Sequence, residues 1–300
     1  MSTLTIRHLT TYRYRQPVAF GEHRMMLRPR DSAEQRVIES RLLIDPEPVS
    51  LDFIQDGFGN HIGIACFSGR ARALRVESLV SVEHSPSAFS GTAADAFPPL
   101  YPQEDRAKLV GFLGDDVESQ VADWARRFLP APPGEKSGSW SLLCHLSDAI
   151  HGEFRYRRRE ARGIQTPLQT LERGEGSCRD FAVLMIAAAR VLGFAARFAS
   201  GYLAVPLDRP SEPAQGADVP DGGTAGHGST HAWAQIYLPL LGWIDFDPTN
   251  GTIGPQNLVT VAVVGQPEDA TPLHGTFLGF PSDHIGMDVA VTITKHPRPA

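Results

Sequence analysis

Cysteine is scarce in this sequence, and the scarcity narrows its chemistry. The three present, Cys66, Cys144 and Cys178, form neither an even disulfide set nor the paired spacing of a structural zinc site. A reducing compartment suffices for them. Positive charge is not in excess either: the formal charge of −6 argues against a nucleic-acid partner, whose footprint is a basic patch or stripe. The local exception, Arg155-Tyr156-Arg157-Arg158-Arg159, is bracketed by Glu153 and Glu160 and reads as a solvated segment or a substrate-facing rim. No hydrophobic run approaches the ~20 residues that span a bilayer. The stretch from Met1 to Thr10 also lacks the apolar stretch of a signal peptide. The expectation is a cytoplasmic protein with no membrane partner. No repeat of fixed period is visible, and no metal or cofactor is expected. His227 and His231 stand four apart, but Gly226, Gly228 and Ser229 deny them the helix that would make the interval meaningful. Asp208, Glu212, Asp218 and Asp221 do not follow the spacing of a calcium loop.

What is present is organised around Arg173-Gly174-Glu175-Gly176-Ser177-Cys178-Arg179-Asp180-Phe181-Ala182. A glycine-punctuated loop runs there into a long apolar segment with a cysteine at the joint. Ser177 and Asp180 have capping-box spacing, which makes Ser177 the N-cap and Cys178 the first helical residue. Phe181 to Ala189 contains no polar residue and Gly193 is a natural C-terminal stop, so the spacing predicts a buried helix from Cys178 to Leu192. A thiol in its first turn faces unpaired N–H groups and the positive end of the helix dipole, which favour the nucleophilic thiolate. Cys66 and Cys144 lie in apolar surroundings of strand and helix character and read as core residues.

A chain of 300 residues has room for two modules. Residues 1–85 read as a β-rich domain, with strands in Leu4 to His8, Val37 to Ile44 and Leu74 to Val82. Asp56-Gly57-Phe58-Gly59-Asn60 is taken as a hairpin turn, since no helix follows to make it a phosphate loop. Residues 86–103, rich in Pro, Ala and Ser, form a linker. Residues 104–300 form the second module. It has helical patterns at Glu104 to Leu113, Asp116 to Leu129 and Trp140 to Glu153, a loop at Pro130 to Gly138, and a strand at Ala195 to Ala204. Pro206 to Ser229 is too long for a mere connection and is either disordered or functional; its place just before the next motif makes a mobile lid the functional reading.

Two strands then follow, Thr230 to Leu238 and Gly242 to Asn250. If their turn centres on Pro239, His231 falls opposite Asp247 and Trp233 opposite Asp245, with Cβ atoms of opposed residues ~5 Å apart. Alternation places His231, Trp233, Gln235, Trp243, Asp245 and Asp247 on one face and Ala232, Ala234, Ile236, Ile244 and Phe246 on the other. Either aspartate can then orient a histidine base, and His227 competes with His231 for that role. A helix-start cysteine, a histidine and a carboxylate together suit nucleophile, base and orienter.

Gly-x-Gly-Ser-Cys178-Arg-Asp-Phe-Ala, Gly193-Phe-Ala-Ala-Arg197 leading to Ser-Gly201-Tyr-Leu, His231-Ala-Trp and Gly242-Trp-x-x-Phe-Asp247-Pro-Thr-Asn-Gly resemble the bacterial transglutaminase-like superfamily. The resemblance covers Trp140 to Thr252. Thr11 to Tyr14, Leu27 to Arg30 and Asp56 to Asn60 resemble the family's β-rich N-terminal region, and Gln256 to Thr294 its closing strands, which are expected to pack back on the core. The implied fold is α+β: a papain-like core, with the cysteine helix on an antiparallel sheet, preceded by a β-sandwich-like N-terminal domain. The implied triad is Cys178 nucleophile, His231 base and Asp247 orienter. The implied activity is thiol-dependent acyl chemistry on amide or peptide bonds through a thioester. Water would make it a peptidase or amidase, an amine acceptor a transferase, and the substrate would be a protein or peptide. The Cys178 backbone N–H would be one oxyanion donor. Two positions depart from the pattern: Gln235, where similar sequences often carry Glu, and Asp245, where a small residue is common. Trp233 and Trp243 read either as shields of the thioester or as sheet-packing aromatics. The competing class is a catalytically idle binding or scaffold protein that kept the fold.

Overall fold

The computed structural model describes residues 2–86, 97–114, 117–129, 138–157, 163–204, 224–227, 229–239 and 241–296. The first strand, β1 (Ser2–Met25), is the spine of a curled antiparallel sheet. It is followed by β2 (Gln35–Asp45), β3 (Ser50–Gln55), β4 (His61–Cys66) and β5 (Ala71–His84), with no helix among them. Its register to β5 breaks between Arg13 and Val18. Pro17 lies in that break, where a residue without an N–H cannot continue the ladder. Before the break β1 pairs with β5, and beyond it Met25 and its neighbours pair with β4. Leu4, Ile6, Leu74, Val76, Val80 and Val82 alternate inward and are buried, which fixes the register by burying one face.

The helical part holds α1 (Gln103–Leu109), running into a 3-10 turn at Val110–Phe112, then α2 (Ser119–Arg126) and α3 (Ser139–Glu153). After β6 (Arg155–Tyr156) comes α4 (Pro167–Arg173), which hydrophobic periodicity does not reveal because it is only two turns long. Its signals are nonetheless in the chain. Thr166 and Gln169 exchange capping-box bonds, Pro167 occupies the first turn, and Gly174 closes the helix at φ 61°. Then follow β7 (Glu175–Gly176), α5 (Cys178–Val191), β8 (Ala195–Leu203), β9 (Thr224–His227), β10 (Ser229–Leu238), β11 (Gly242–Asp247), β12 (Thr252–Ile253), β13 (Leu258–Val264), a 3-10 turn at Pro267–Ala270, β14 (Leu273–Leu278) and β15 (His284–His296). Among the described residues no helix is long and apolar enough to cross a membrane.

The five-stranded sheet runs β12-β11-β10-β8-β13, all antiparallel, and α5 packs on one face of it. The helix is buried because its neighbours close every side. Phe181, Leu184, Met185 and Ile186 meet Leu142, Leu143, Leu146 and Ile150 of α3 and Ala232, Ala234, Ile236 and Phe246 of the sheet. Each large apolar side chain so buried contributes ~1.5–3 kcal/mol.

The closing strands pack against the core as expected, Val259, Val261 and Ile293 sharing a buried cluster with Tyr202, but not all of them pair with its strands. β13 does join the core, beside β8, but β14 and β15 pair with β1, and β9 pairs with β15. The chain's last described strands therefore complete the N-terminal sheet. β5 takes one edge of β1 and β15 the other, and Ile293, with Val291 beside it, joins the buried cluster of Leu4 and Ile6 that also takes in Tyr202, Val259 and Val261. β9 lies inside the stretch read as a loop. The remainder of the expected lid, residues 206–223 and 228, lies outside the described residues, as do most of the Pro130 to Gly138 loop, part of the linker and Arg158 and Arg159 of the basic run.

Two side-chain amides join the modules. The free edge of β13 is met by Gln35, whose Oε1 accepts from Thr260 N–H at 2.8 Å and whose Nε2 donates to Thr260 O at 2.7 Å. Asn60 does the same for Val263, at 2.9 and 2.8 Å. Asn60 is fully buried and is itself held by Asp56, so the Asp56 to Asn60 hairpin turn acts as a clamp on the core. Buried edge groups that would otherwise lack partners are satisfied in this way.

Candidate active site

The loop before Cys178 is set residue by residue. Gly174 takes the left-handed conformation that ends α4. Glu175 and Gly176 pair in parallel with Arg155 and Tyr156. Gly176 has no room for a side chain, since a Cβ there would stand 2.9 Å from Asp180 Cβ and 3.2 Å from the Phe181 ring. Ser177 is the extended N-cap, and the Asp180 carboxylate reaches back to accept from its N–H and its hydroxyl, both at 2.8 Å. Gln165 adds its backbone N–H at 2.7 Å and its amide at 3.2 Å. Burial alone would raise Asp180, but these hydrogen bonds from Ser177 and Gln165 hold it below the usual carboxylate range. Cys178 is thereby fixed as the first residue of α5, half-buried with a free thiol.

His231 sits on β10, opposite Gly201 of β8, and its Nε2 donates to Asp247 Oδ2 at 2.8 Å. Asp247 is fully buried at the end of β11. Its other oxygen caps the following turn, accepting from the backbone N–H groups of Thr249 at 3.1 Å and Asn250 at 3.3 Å. The Asn250 amide donates to Asp247 Oδ2 at 2.7 Å. Sequence reasoning misses Asn250, although Asp-Pro-Thr-Asn is a side-chain-capped turn signal. With Nε2 committed to Asp247, Nδ1 is the ring nitrogen left over, and Cys178 lines the same pocket as His231. Burial pushes His231 down, but Asp247 and Cys178 together outweigh it and raise it to about 9.

The hairpin that carries these groups has a different register from the one expected. Leu238 pairs with Gly242 and Gln235 with Asp245, so the turn is centred one residue beyond Pro239. Gly242 supplies the positive φ, 77°, at the exit of a three-residue connection, and that residue determines where pairing resumes. The shift moves every pair by two residues and so leaves the faces unchanged. His231 and Asp247 are diagonal rather than opposed, a separation of ~7–8 Å that two such side chains still span.

Asp245 is engaged elsewhere. Its Oδ1 accepts from Trp233 Nε1 at 2.6 Å and from the Gln235 amide at 2.8 Å, and burial raises its carboxyl. Gln235 accepts from Arg197 Nε at 2.8 Å through its other end, while the Arg197 guanidinium lies 3.9 Å over the Trp243 ring. An amide suits this position because it donates and accepts at once; a carboxylate would face Asp245 with no proton to give. Trp233 and Trp243 are thus held by the sheet's own side chains and neither lines the pocket at Cys178, although the Trp233 ring stacks on that of His231. That pocket, of about 90 Å³, is walled by Cys178, Arg179 and His231 together with Tyr202, His8 and Met26. Arg179 donates to Pro267 O at 3.1 Å and lies over Phe198; burial lowers it, against the opposing pull of Cys178 and Glu268. The backbone of His227 lies in β9 opposite Thr292, and its side chain is outside the described residues. Among the described residues no group of three His, Cys, Asp or Glu side chains could hold a metal ion.

Known proteins share both parts of the chain. Residues 4–83 match the bacterial transglutaminase-like N-terminal region, and residues 135–248 the transglutaminase-like superfamily. An uncharacterized protein of Mycobacterium bovis and one of Mycobacterium tuberculosis are each 30% identical, across 96% of this chain and 91% of theirs. One of Mycobacterium leprae is 28% identical across 98% and 99%. The crystal structure of a candidate cysteine protease from Cytophaga hutchinsonii, 18% identical, covers 97% of this chain and 90% of its own with a TM-score of 0.70, a likeness of fold. By its sequence matches and its α+β architecture, the chain belongs to the transglutaminase-like superfamily.

Proposed function

We propose that the protein is a thiol enzyme that attacks an amide or peptide carbonyl with Cys178, forms a thioester and passes the acyl group to water or to an amine. The observation that carries this reading is that His231, bound through Nε2 to the buried Asp247 at 2.8 Å, shares one pocket with Cys178 at the start of α5. In this mechanism His231 takes the thiol proton at Nδ1, while Asp247 fixes the ring orientation and stabilises the imidazolium. The thiolate adds to the carbonyl carbon, and the oxyanion is met by the Cys178 backbone N–H at the start of α5. Collapse expels ammonia or an amine, which collects the Nδ1 proton. Incoming water or amine then gives a proton back to His231 as it attacks the thioester. The substrate in this reading is a protein or peptide, with an amine acceptor where the reaction is transfer.

The test is alkylation by iodoacetamide at pH 6, mapped by mass spectrometry. Label should concentrate on Cys178 and leave Cys144, which burial and Asp148 push up to about 11, almost untouched. Equal labelling of Cys66, Cys144 and Cys178, or no loss of label in Cys178→Ala, refutes the reading.

A further inference from the structure

The pocket at Cys178 has a wall that the triad does not use. On β1, Leu4, Ile6, His8 and Thr10 all turn inward and are buried. A histidine in such a row needs partners for both ring nitrogens. His8 Nδ1 stands 3.0 Å from Tyr202 Oη and Nε2 stands 3.2 Å from Thr10 Oγ1. Tyr202 belongs to β8, the strand held on both edges by β10 and β13. His8 and Tyr202 line the same small pocket as Cys178 and His231. Resting on the reading of Cys178 as nucleophile, we propose that the Tyr202 hydroxyl, held in place by His8 from the N-terminal sheet, is the second hydrogen-bond donor to the oxyanion, beside the Cys178 backbone N–H. Tyr202 touches the reacting carbonyl; His8 acts through it as a positioning residue.

The protons can be placed. Burial pushes His8 down to about 4 and pushes the Tyr202 phenol up, so at ordinary pH the imidazole is neutral and the phenol keeps its proton. Of the two tautomers, one has Thr10 Oγ1–H donating to Nε2 and Nδ1–H donating to Tyr202 Oη. That arrangement leaves the Oη–H for the pocket. All three bonds then run in one direction, toward the carbonyl, and each polarises the next, the three side chains being buried. The aim is rigid. Gly201, the residue before Tyr202, is so close to β13 that a Cβ would fall 2.0 Å from Val259 O, which pins this part of β8. Rigid placement on a strand is what a preorganised donor requires. The inference also gives the N-terminal sheet a part in the chemistry, since His8 comes from β1.

Two reagents separate the donor from the nucleophile. With p-nitrophenyl acetate, Cys178 Sγ forms a bond to the carbonyl carbon, the carbonyl electrons move to oxygen, and their return expels p-nitrophenolate and leaves an S-acetyl enzyme. With iodoacetamide, sulfur displaces iodide at a saturated carbon and no oxyanion forms. Tyr202→Phe should lower the acetylation burst about 100-fold, as loss of one oxyanion donor does, while leaving alkylation of Cys178 within about twofold. His8→Leu should show the same split. His8→Asn, whose amide can offer an N–H to Tyr202, should recover acetylation to within about tenfold of wild type. Alkylation serves as the check that each variant keeps a folded site. If Tyr202→Phe lowers both reactions equally, or neither, the donor role is overturned. If His8→Leu acetylates normally, His8 has no positioning role. A wild-type protein that shows neither selective alkylation nor a burst at Cys178 refutes the underlying reading, and the donor with it.

Discussion

Asp247→Asn is the substitution whose consequence follows most directly from the geometry. The side chain is isosteric, but its surroundings decide which way the new amide must point. One oxygen of Asp247 accepts two backbone N–H groups, from Thr249 and Asn250, and so has to stay an oxygen. The NH2 must therefore replace Oδ2, which now accepts from His231 Nε2 at 2.8 Å and from the Asn250 amide at 2.7 Å. An NH2 there faces two donors. The conflict with His231 is relieved by moving the imidazole proton to Nδ1, the nitrogen that takes the Cys178 proton in the proposed mechanism. The base then presents a proton where it should accept one, and a triad so inverted loses on the order of 10³–10⁴ in rate.

The same change has a signature in stability. The rise of His231 from 6.5 to about 9 corresponds to roughly 3 kcal/mol of preference for the protonated ring, at ~1.36 kcal/mol per pH unit. Because the folded value is raised, that stabilisation is fully present below about 6.5 and is lost as pH rises through about 9. Removing the Asp247 charge takes away much of it, so Asp247→Asn should cost most stability near pH 6 and little near pH 10. Acetylation bursts and urea melts at both pH values test the two halves together. Asp245→Asn, whose carboxyl serves Trp233 and Gln235, should keep the burst within about tenfold, since it leaves the triad untouched. A stability deficit of Asp247→Asn that is the same at pH 6 and pH 10, or a larger loss of burst in Asp245→Asn, would sink the assignment.

Two further substitutions test the scaffold. Asn60→Ala strips both partners from Val263 N–H and C=O at the clamp between the modules; with ~1–3 kcal/mol for each buried group left unpaired, urea unfolding should show a loss of about 2–5 kcal/mol, and a change below about 0.5 kcal/mol refutes the clamp. Gly201→Ala drives a Cβ to 2.0 Å from Val259 O, a backbone clash that no rotamer relieves, so hydrogen exchange should show β13 opened and melting should fall by at least about 3 kcal/mol; unchanged exchange in β13 counts against the close packing at this point.

Features written in neighbouring residues are legible in the sequence. The start of α5 at Cys178, its stop before Gly193 and the turn at Asp56 to Asn60 depend on caps and glycines within a few positions of one another. Features that depend on distant choices are not. Val291 and Ile293 alternate like any half-buried strand, and nothing near them says that they will pair with β1 and not with a strand of the core sheet. The edge that β1 offers is almost three hundred residues away in sequence, its Thr3 pairing with His296. His8 is hidden for the same reason. In its own strand it is one polar residue in an inward row, and its role in the pocket exists only because Tyr202 arrives 194 positions later.

The hairpin of β10 and β11 shows why a wrong register can still bring the right side chains together. Centring the turn on Pro239 sets His231 directly against Asp247; the observed pairing puts Asp245 against Gln235 and leaves His231 and Asp247 on a diagonal. A slip of one residue would have turned one partner to the opposite face of the sheet and removed it from the other. A slip of two preserves the face, and on a twisted sheet the diagonal neighbour is within reach. The cost of the error falls instead on the second carboxylate. In the expected register Asp245 lies opposite Trp233 and close to the histidine, free to compete for it. In the observed one it is opposite Gln235, whose amide donates to it at 2.8 Å while Trp233 Nε1 takes the same oxygen at 2.6 Å. The register thus separates the two aspartates: it commits Asp245 to the sheet's own packing and leaves Asp247, anchored by the Thr249 and Asn250 turn, as the carboxylate that meets His231.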